Sequence, residues 1–151
     1  MDDEPIVKDI RIDAPPEIVF EFLTNPAKLI RWLGLKAELD PRPGGIFRVD
    51  PNGRDVILGT YLETVPHSKV VFTWGWEAPE HRVPAGSSKV EITLERDGPG
   101  TRLRLTHRNL PSSAREGHDV GWTHYLDRLK TASEGGDPGV DPLANPESRH
   151  G

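Results

Sequence analysis

Ile6-Val7-Lys8-Asp9-Ile10-Arg11-Ile12 alternates apolar with polar positions, the period of a half-buried strand. Ala14-Pro15-Pro16 ends it, and the prolines suit the first turn of a helix, where a missing N–H breaks no intrahelical bond. Ile18, Val19, Phe22 and Leu23 then share one stripe, which predicts a short helix. Asn25-Pro26 repeats this grammar as N-cap and first-turn proline, opening a second short helix through Leu29, Ile30 and Trp32. Gly34 is placed to close it in a left-handed conformation.

From Leu35 to His107 the pattern predicts strand after strand: Leu35–Leu39, Gly45–Val49, Val56–Val65, Lys69–Trp76, Ser88–Glu95 and Thr101–His107. Pro43-Gly44-Gly45, Pro51-Asn52-Gly53, Pro66-His67-Ser68 and Asp97-Gly98-Pro99-Gly100 supply turn chemistry between them, so an antiparallel meander is expected. A last helix begins at Pro111-Ser112-Ser113, with Ser113 and Glu116 spaced as a capping box. His118, Trp122, Tyr125, Leu126 and Leu129 mark one of its faces, and it runs to about Ala132. Gly117 and Gly121 lie inside this helix, where each costs about 1 kcal/mol relative to Ala. They predict close backbone approach, space left empty, or simply a locally weak helix.

Domain organisation follows. Residues 1–132 form one α+β domain, and 133–151, rich in Gly, Pro and acids, bury too little apolar surface to offset their ordering entropy and are expected to be a disordered tail. Of the net charge of −5, the tail carries −3, so the body is close to neutral at about −2. That leaves no basic footprint for nucleic acid. The acidic N-terminus lacks the pattern of a signal peptide, and no apolar run approaches the roughly 20 residues that span a bilayer. A cytoplasmic location without membrane insertion is expected. The chain has no cysteine, so thiolate metal sites and cysteine nucleophiles are excluded.

The richest chemistry lies in Val70-Val71-Phe72-Thr73-Trp74-Gly75-Trp76, where alternation puts Val70, Phe72, Trp74 and Trp76 on one face. Val90, Ile92 and Leu94 in the next strand, and Leu103, Leu105 and His107 in the one after, likewise point inward, with charged residues opposite. A lone inward histidine is more often a satisfied core residue than a chemical group, yet His107 is also placed to orient a ligand or move a proton. Tyr61 and Glu63 share a face by strict alternation. Pointing inward, Glu63 would be the carboxylate partner of His107; pointing outward, it is a surface acid, the reading favoured here. Trp32, Trp74, Trp76 and Trp122 come from three elements and are expected to converge, either lining a cavity or filling the core. No phosphate-binding loop, dinucleotide fingerprint or His-Glu-x-x-His pattern occurs, so neither a metal nor a cofactor is expected.

Taken in order, Ile12-Asp13-Ala14-Pro15-Pro16-Glu17-Ile18-Val19-Phe20, Leu29 to Trp32, Asp40 to Arg48, Gly59 to Pro66, Val71 to Trp74, Gly100 to Leu103 and His118 to Leu129 resemble the START-like (SRPBCC) superfamily, in its branch homologous to the activator of heat-shock protein ATPase. The resemblance spans nearly everything from Ile6 to Leu129 and implies a helix-grip fold: a curved antiparallel sheet around a long C-terminal helix, with a cavity between them. Trp32, Phe47, Tyr61, Phe72, Trp74, Trp76, His107, Trp122 and Leu126 are the expected lining. Three functions follow as expectations. The first is a non-catalytic binding protein, monomeric or homodimeric, for a small hydrophobic or aromatic molecule. The second is a cyclase- or dehydratase-type enzyme with His107 as acid or base. The third is a protein-interaction or co-chaperone-like module.

Overall fold

In the computed structural model, residues 5–50, 56–77 and 83–139 are described. Their elements follow the order β1 (Ile6–Ile12), α1 (Pro16–Thr24), α2 (Pro26–Leu29), β2 (Lys36–Leu39), β3 (Ile46–Asp50), β4 (Ile57–Val65), β5 (Lys69–Trp74), β6 (Ser88–Asp97), β7 (Gly100–Arg108) and α3 (Ser112–Ser133). The seven strands make one antiparallel sheet in the order β1-β7-β6-β5-β4-β3-β2. Every neighbour from β2 to β7 is sequential, whereas β1 returns to pair with β7, and the expected Pro51-Asn52-Gly53 turn lies outside the described residues. β1 and β2 therefore occupy opposite edges, and the α1–α2 corner carries the chain between them. The architecture is α+β and helix-grip, with α3 against the inner face of the curved sheet.

The local signals act much as their chemistry requires. Pro16 opens α1, and the Asn25 side chain accepts from the N–H groups of Ala27 and Lys28, capping α2. Gly34 takes φ +102°, and a Cβ there would sit 2.7 Å from Cγ1 of Val49, so the chain enters β2 where only glycine fits. β5 ends at Trp74, two residues short of the expected Trp76. At Gly75 the backbone is pressed so closely on Pro84 that a Cβ would lie 1.8 Å from its carbonyl oxygen. Trp76 instead bridges Ile57 and Pro84, its N–H donating to the Val83 carbonyl.

Two further expectations are corrected. The capping box at Ser113 and Glu116 does not form, because α3 begins two residues earlier than a Ser113 cap requires and Pro111 holds the cap position without a side-chain bond. Strict alternation along β4 also fails. Tyr61 pairs with Phe72 but Glu63 with Val71, so two residues of β4 face one of β5 and the phase of alternation slips. Tyr61 consequently points into the core while Glu63 faces out, 3.3 Å from Nζ of Lys69.

One contiguous core joins β1, α1, α2, every strand from β2 to β7 and the second half of α3. On α3 the buried stripe is Trp122, Leu126, Leu129, Ala132 and Ser133, and nothing from 112 to 121 is buried. That first half is tied down by polar contacts instead: Lys8 on β1 with Asp119, and Arg115 donating to the Pro5 carbonyl. Residues 134–139, within the expected tail, carry a turn in which Gly135 and Gly136 donate to the Ala132 and Thr131 carbonyls. Arg128 ties this turn to the helical corner by donating to the Pro138, Gly139 and Trp32 carbonyls. The rest of the tail, 140–151, lies outside the described residues.

Candidate functional site

The alternation of β5 sends Phe72 and Trp74 inward, where β3, β4, β7 and α3 add rings of their own. Phe47 stacks on Phe72 with centroids 4.1 Å apart and 18° between planes, and Tyr61 meets both edge-on. Trp74 lies over Trp122 at 5.1 Å and meets Trp76, His107 and His118 at 5.7 to 6.3 Å. These separations are those of offset and edge-to-face aromatic pairs, in which a ring's positive edge meets a negative face. Trp32 stands apart in the helical corner, its indole donating to the Phe22 carbonyl at 2.8 Å. Tyr61 donates to the Leu23 carbonyl at 3.3 Å, and burial pushes its phenol above its ordinary pKa.

A directed chain of hydrogen bonds runs through the outer part of this cluster. Trp122 Nε1 donates to Nδ1 of His107 at 2.9 Å. An indole nitrogen only donates, so Nδ1 holds a lone pair and the ring proton sits on Nε2. Nε2 then donates to Oγ of Ser88 at 2.8 Å, and Ser88 passes its own proton to the Trp74 carbonyl, also at 2.8 Å. His118 repeats the logic. Its Nδ1 bonds the Ala114 carbonyl at 2.9 Å and so carries the proton, which leaves Nε2 to accept from Trp74 Nε1 at 3.3 Å.

Electrostatics agree with these tautomers. Burial first, and neighbouring His118 second, push the His107 imidazolium down to about 3. Burial also lowers His118, against the Ala114 carbonyl, which favours a charged ring. Both imidazoles are therefore neutral near pH 7, and each accepts an indole N–H. Protonating His107 on Nδ1 would set one N–H against another in a buried place. His107 has no lone pair free for a substrate proton, and Glu63, turned outward, lends it no carboxylate. Among the described residues no three His, Asp or Glu side chains gather as metal ligands.

Of the nine residues expected to line a cavity, eight are 5% exposed or less: Trp32, Phe47, Tyr61, Phe72, Trp74, His107, Trp122 and Leu126. Side chains walling a ligand-sized void would keep open surface, so these pack chiefly on one another. Trp76, the ninth, is half-buried, as are His118 and Tyr125. Gly117 and Gly121 flank His118 on α3, and a Cβ on either would meet none of the described residues within 4 Å. Among the described residues no backbone approaches these glycines closely. The aromatic cluster is closed at depth, with Trp76 and His118 half-buried at its edge.

Two members of the network escaped the sequence reading. Ser88 lies one alternation step before Val90 on the inward face of β6, so extending that pattern by two residues would have found it. His118 was placed on the right helix face, but its partner Trp74 is set by how α3 crosses the sheet, which spacing does not specify.

The Activator of Hsp90 ATPase homolog 1-like family matches residues 13–134. Comparison with curated proteins gives no match. Among solved structures, the AHSA1-like protein of Rhizobium etli is 42% identical, with 93% of this chain and 88% of that one covered at a TM-score of 0.74. CalU16 of Micromonospora echinospora is 30% identical over 94% of this chain and 71% of that one, with a TM-score of 0.71. An HSP90 activator of Plasmodium falciparum is 25% identical over 85% of this chain and 94% of its own, also at 0.71. No helix among the described residues is long and apolar enough to cross a membrane. With a family match over most of its length and a fold shared by these structures, the chain belongs to the Activator of Hsp90 ATPase homolog 1-like (AHSA1) family.

Proposed function

We propose that this domain is a non-catalytic binding protein for a small, neutral, largely aromatic molecule, seated against the rim of Trp76 and His118 and reaching toward Trp74. The observation that carries the reading is the pair of neutral histidines, each with both ring nitrogens engaged inside an aromatic cluster. Such a site offers flat apolar surface and a few oriented polar atoms, the composition of a small-molecule site, and the nitrogens of both its histidines are engaged. The acid–base role open to His107 in sequence is disfavoured for the same reason. The half-buried Trp76 and His118 support an approach from solvent at this edge of the cluster.

Thermal-shift and intrinsic tryptophan fluorescence titrations with neutral bicyclic and tricyclic aromatics test this. A saturable quench accompanied by a rise in Tm is expected, because a ligand that binds only the folded state stabilises it. A panel that leaves both signals unmoved at its solubility limit would sink the reading. A second reading, a contact with an Hsp90-type ATPase, rests on the family and on the Plasmodium activator. Its test is the ATPase rate of such a chaperone with and without this protein, an unchanged rate arguing against it.

A further inference from the structure

The polar atoms of the cluster are not equally committed. Trp122 to His107, His107 to Ser88 and Ser88 to Trp74 span 2.8 to 2.9 Å, and all four groups are buried. The Trp74 indole and Nε2 of His118 are 3.3 Å apart, longer than an ordinary N–H···acceptor bond, and His118 sits at the half-buried rim. The weakest bond in the network is thus the one nearest solvent. Around it, Trp74, Trp76 and His118 form a triangle with centroids 6.3 to 6.4 Å apart.

Parting this pair exposes one donor, the indole N–H, and one acceptor, the imidazole lone pair, a few ångströms apart. The Ala114 carbonyl fixes the tautomer, so His118 cannot switch roles without losing that bond. A carboxylate would accept from Trp74 but set its second oxygen against the His118 lone pair. An ammonium would donate to His118 but turn another N–H toward the indole. A hydroxyl both accepts and donates, and it satisfies the two groups at once. The surrounding rings favour attachment of that hydroxyl to a flat aromatic skeleton.

We infer that the ligand is a neutral hydroxyaromatic molecule, of the phenol or naphthol class, whose hydroxyl enters between the Trp74 indole N–H and Nε2 of His118. This rests on the binding reading above and adds to it the chemical class of the ligand. The hydroxyl proton goes to His118 as a hydrogen bond only, and no bond to carbon forms or breaks.

The test is an NMR titration of the full chain with 2-naphthol, 2-methoxynaphthalene, naphthalene and 2-naphthoate, following the Trp74 indole N–H and the imidazole nitrogens of His118. 2-Naphthol is expected to bind about tenfold or more tighter than naphthalene and 2-methoxynaphthalene, with 2-naphthoate weakest. It alone should shift Nε2 of His118. In His118→Leu the ratio of 2-naphthol to naphthalene affinity, both measured on that variant, should fall to about one. If 2-naphthol bound no tighter than naphthalene, or saturated the protein without moving Nε2 of His118, the hydroxyaromatic assignment would be overturned and the binding reading kept. If no compound of the set bound, the binding reading would fall and the assignment with it. The wild-type nitrogen shift decides the matter even where His118→Leu fails to fold.

Discussion

Acidification should destabilise this protein well before its carboxylates titrate, and the size of the effect follows from His107. Its folded pKa of about 3 lies below the ordinary 6.5, so the unfolded chain binds the proton that the folded chain refuses. Stability is then fully present above about pH 6.5 and is lost as pH falls toward 3. At pH 5 the unfolded ring is about one and a half pH units below its pKa, and the folded ring is almost unprotonated. At 1.36 kcal/mol per unit the loss between pH 7.5 and pH 5 is about 2 kcal/mol. His118, lowered in the same sense, adds to it. The exposed carboxylates with lowered pKa values, Glu17, Asp40 and Glu134, act below about pH 4.5, so this window isolates the histidines. Urea unfolding at half-unit pH steps measures the slope directly. In thermal melts, 2 kcal/mol corresponds to a fall in Tm of about 4–8 °C. A stability flat from pH 7.5 to 5, or a His107 ring that titrates near 6.5 by NMR in the folded protein, would refute the argument that both its nitrogens are locked in the network.

Other outcomes follow from the same geometry. Trp122→Phe keeps a ring over Trp74 but strands Nδ1 of His107 without its donor, and should cost about 1–3 kcal/mol in urea melts while raising the His107 pKa. Gly121→Ala meets none of the described residues within 4 Å and should stabilise α3 by up to about 1 kcal/mol. A loss of stability there would reveal a contact at the rim. Phe72→Ala removes the ring stacked on Phe47 and should cost about 3–5 kcal/mol by chemical denaturation. Glu63→Gln alters only an exposed pair with Lys69 and should change stability by less than about 1 kcal/mol, whereas a large effect would return Glu63 to the site.

What the sequence determined by itself is whatever local chemistry and period dictate. The Asn25-Pro26 cap, Gly34 at positive φ and the inward faces of β5, β6 and β7 are each written within a few neighbouring residues. The pattern of α3 marked one face with His118, Trp122, Tyr125, Leu126 and Leu129, of which Trp122, Leu126 and Leu129 are buried and the other two half-buried. Only tertiary structure decided the rest, because it depends on residues far apart in the chain. The bulge after Tyr61 is fixed by pairing with β5, and it parts Tyr61 from Glu63, which strict alternation had joined. The tautomers of His107 and His118 are set by Trp122, Ser88, Ala114 and Trp74, and where the helix crosses the sheet brings Trp74 to His118. An inward histidine is legible from a period of two. Whether its nitrogens are free or spent is decided by partners that the period does not name, and here they are spent on the fold.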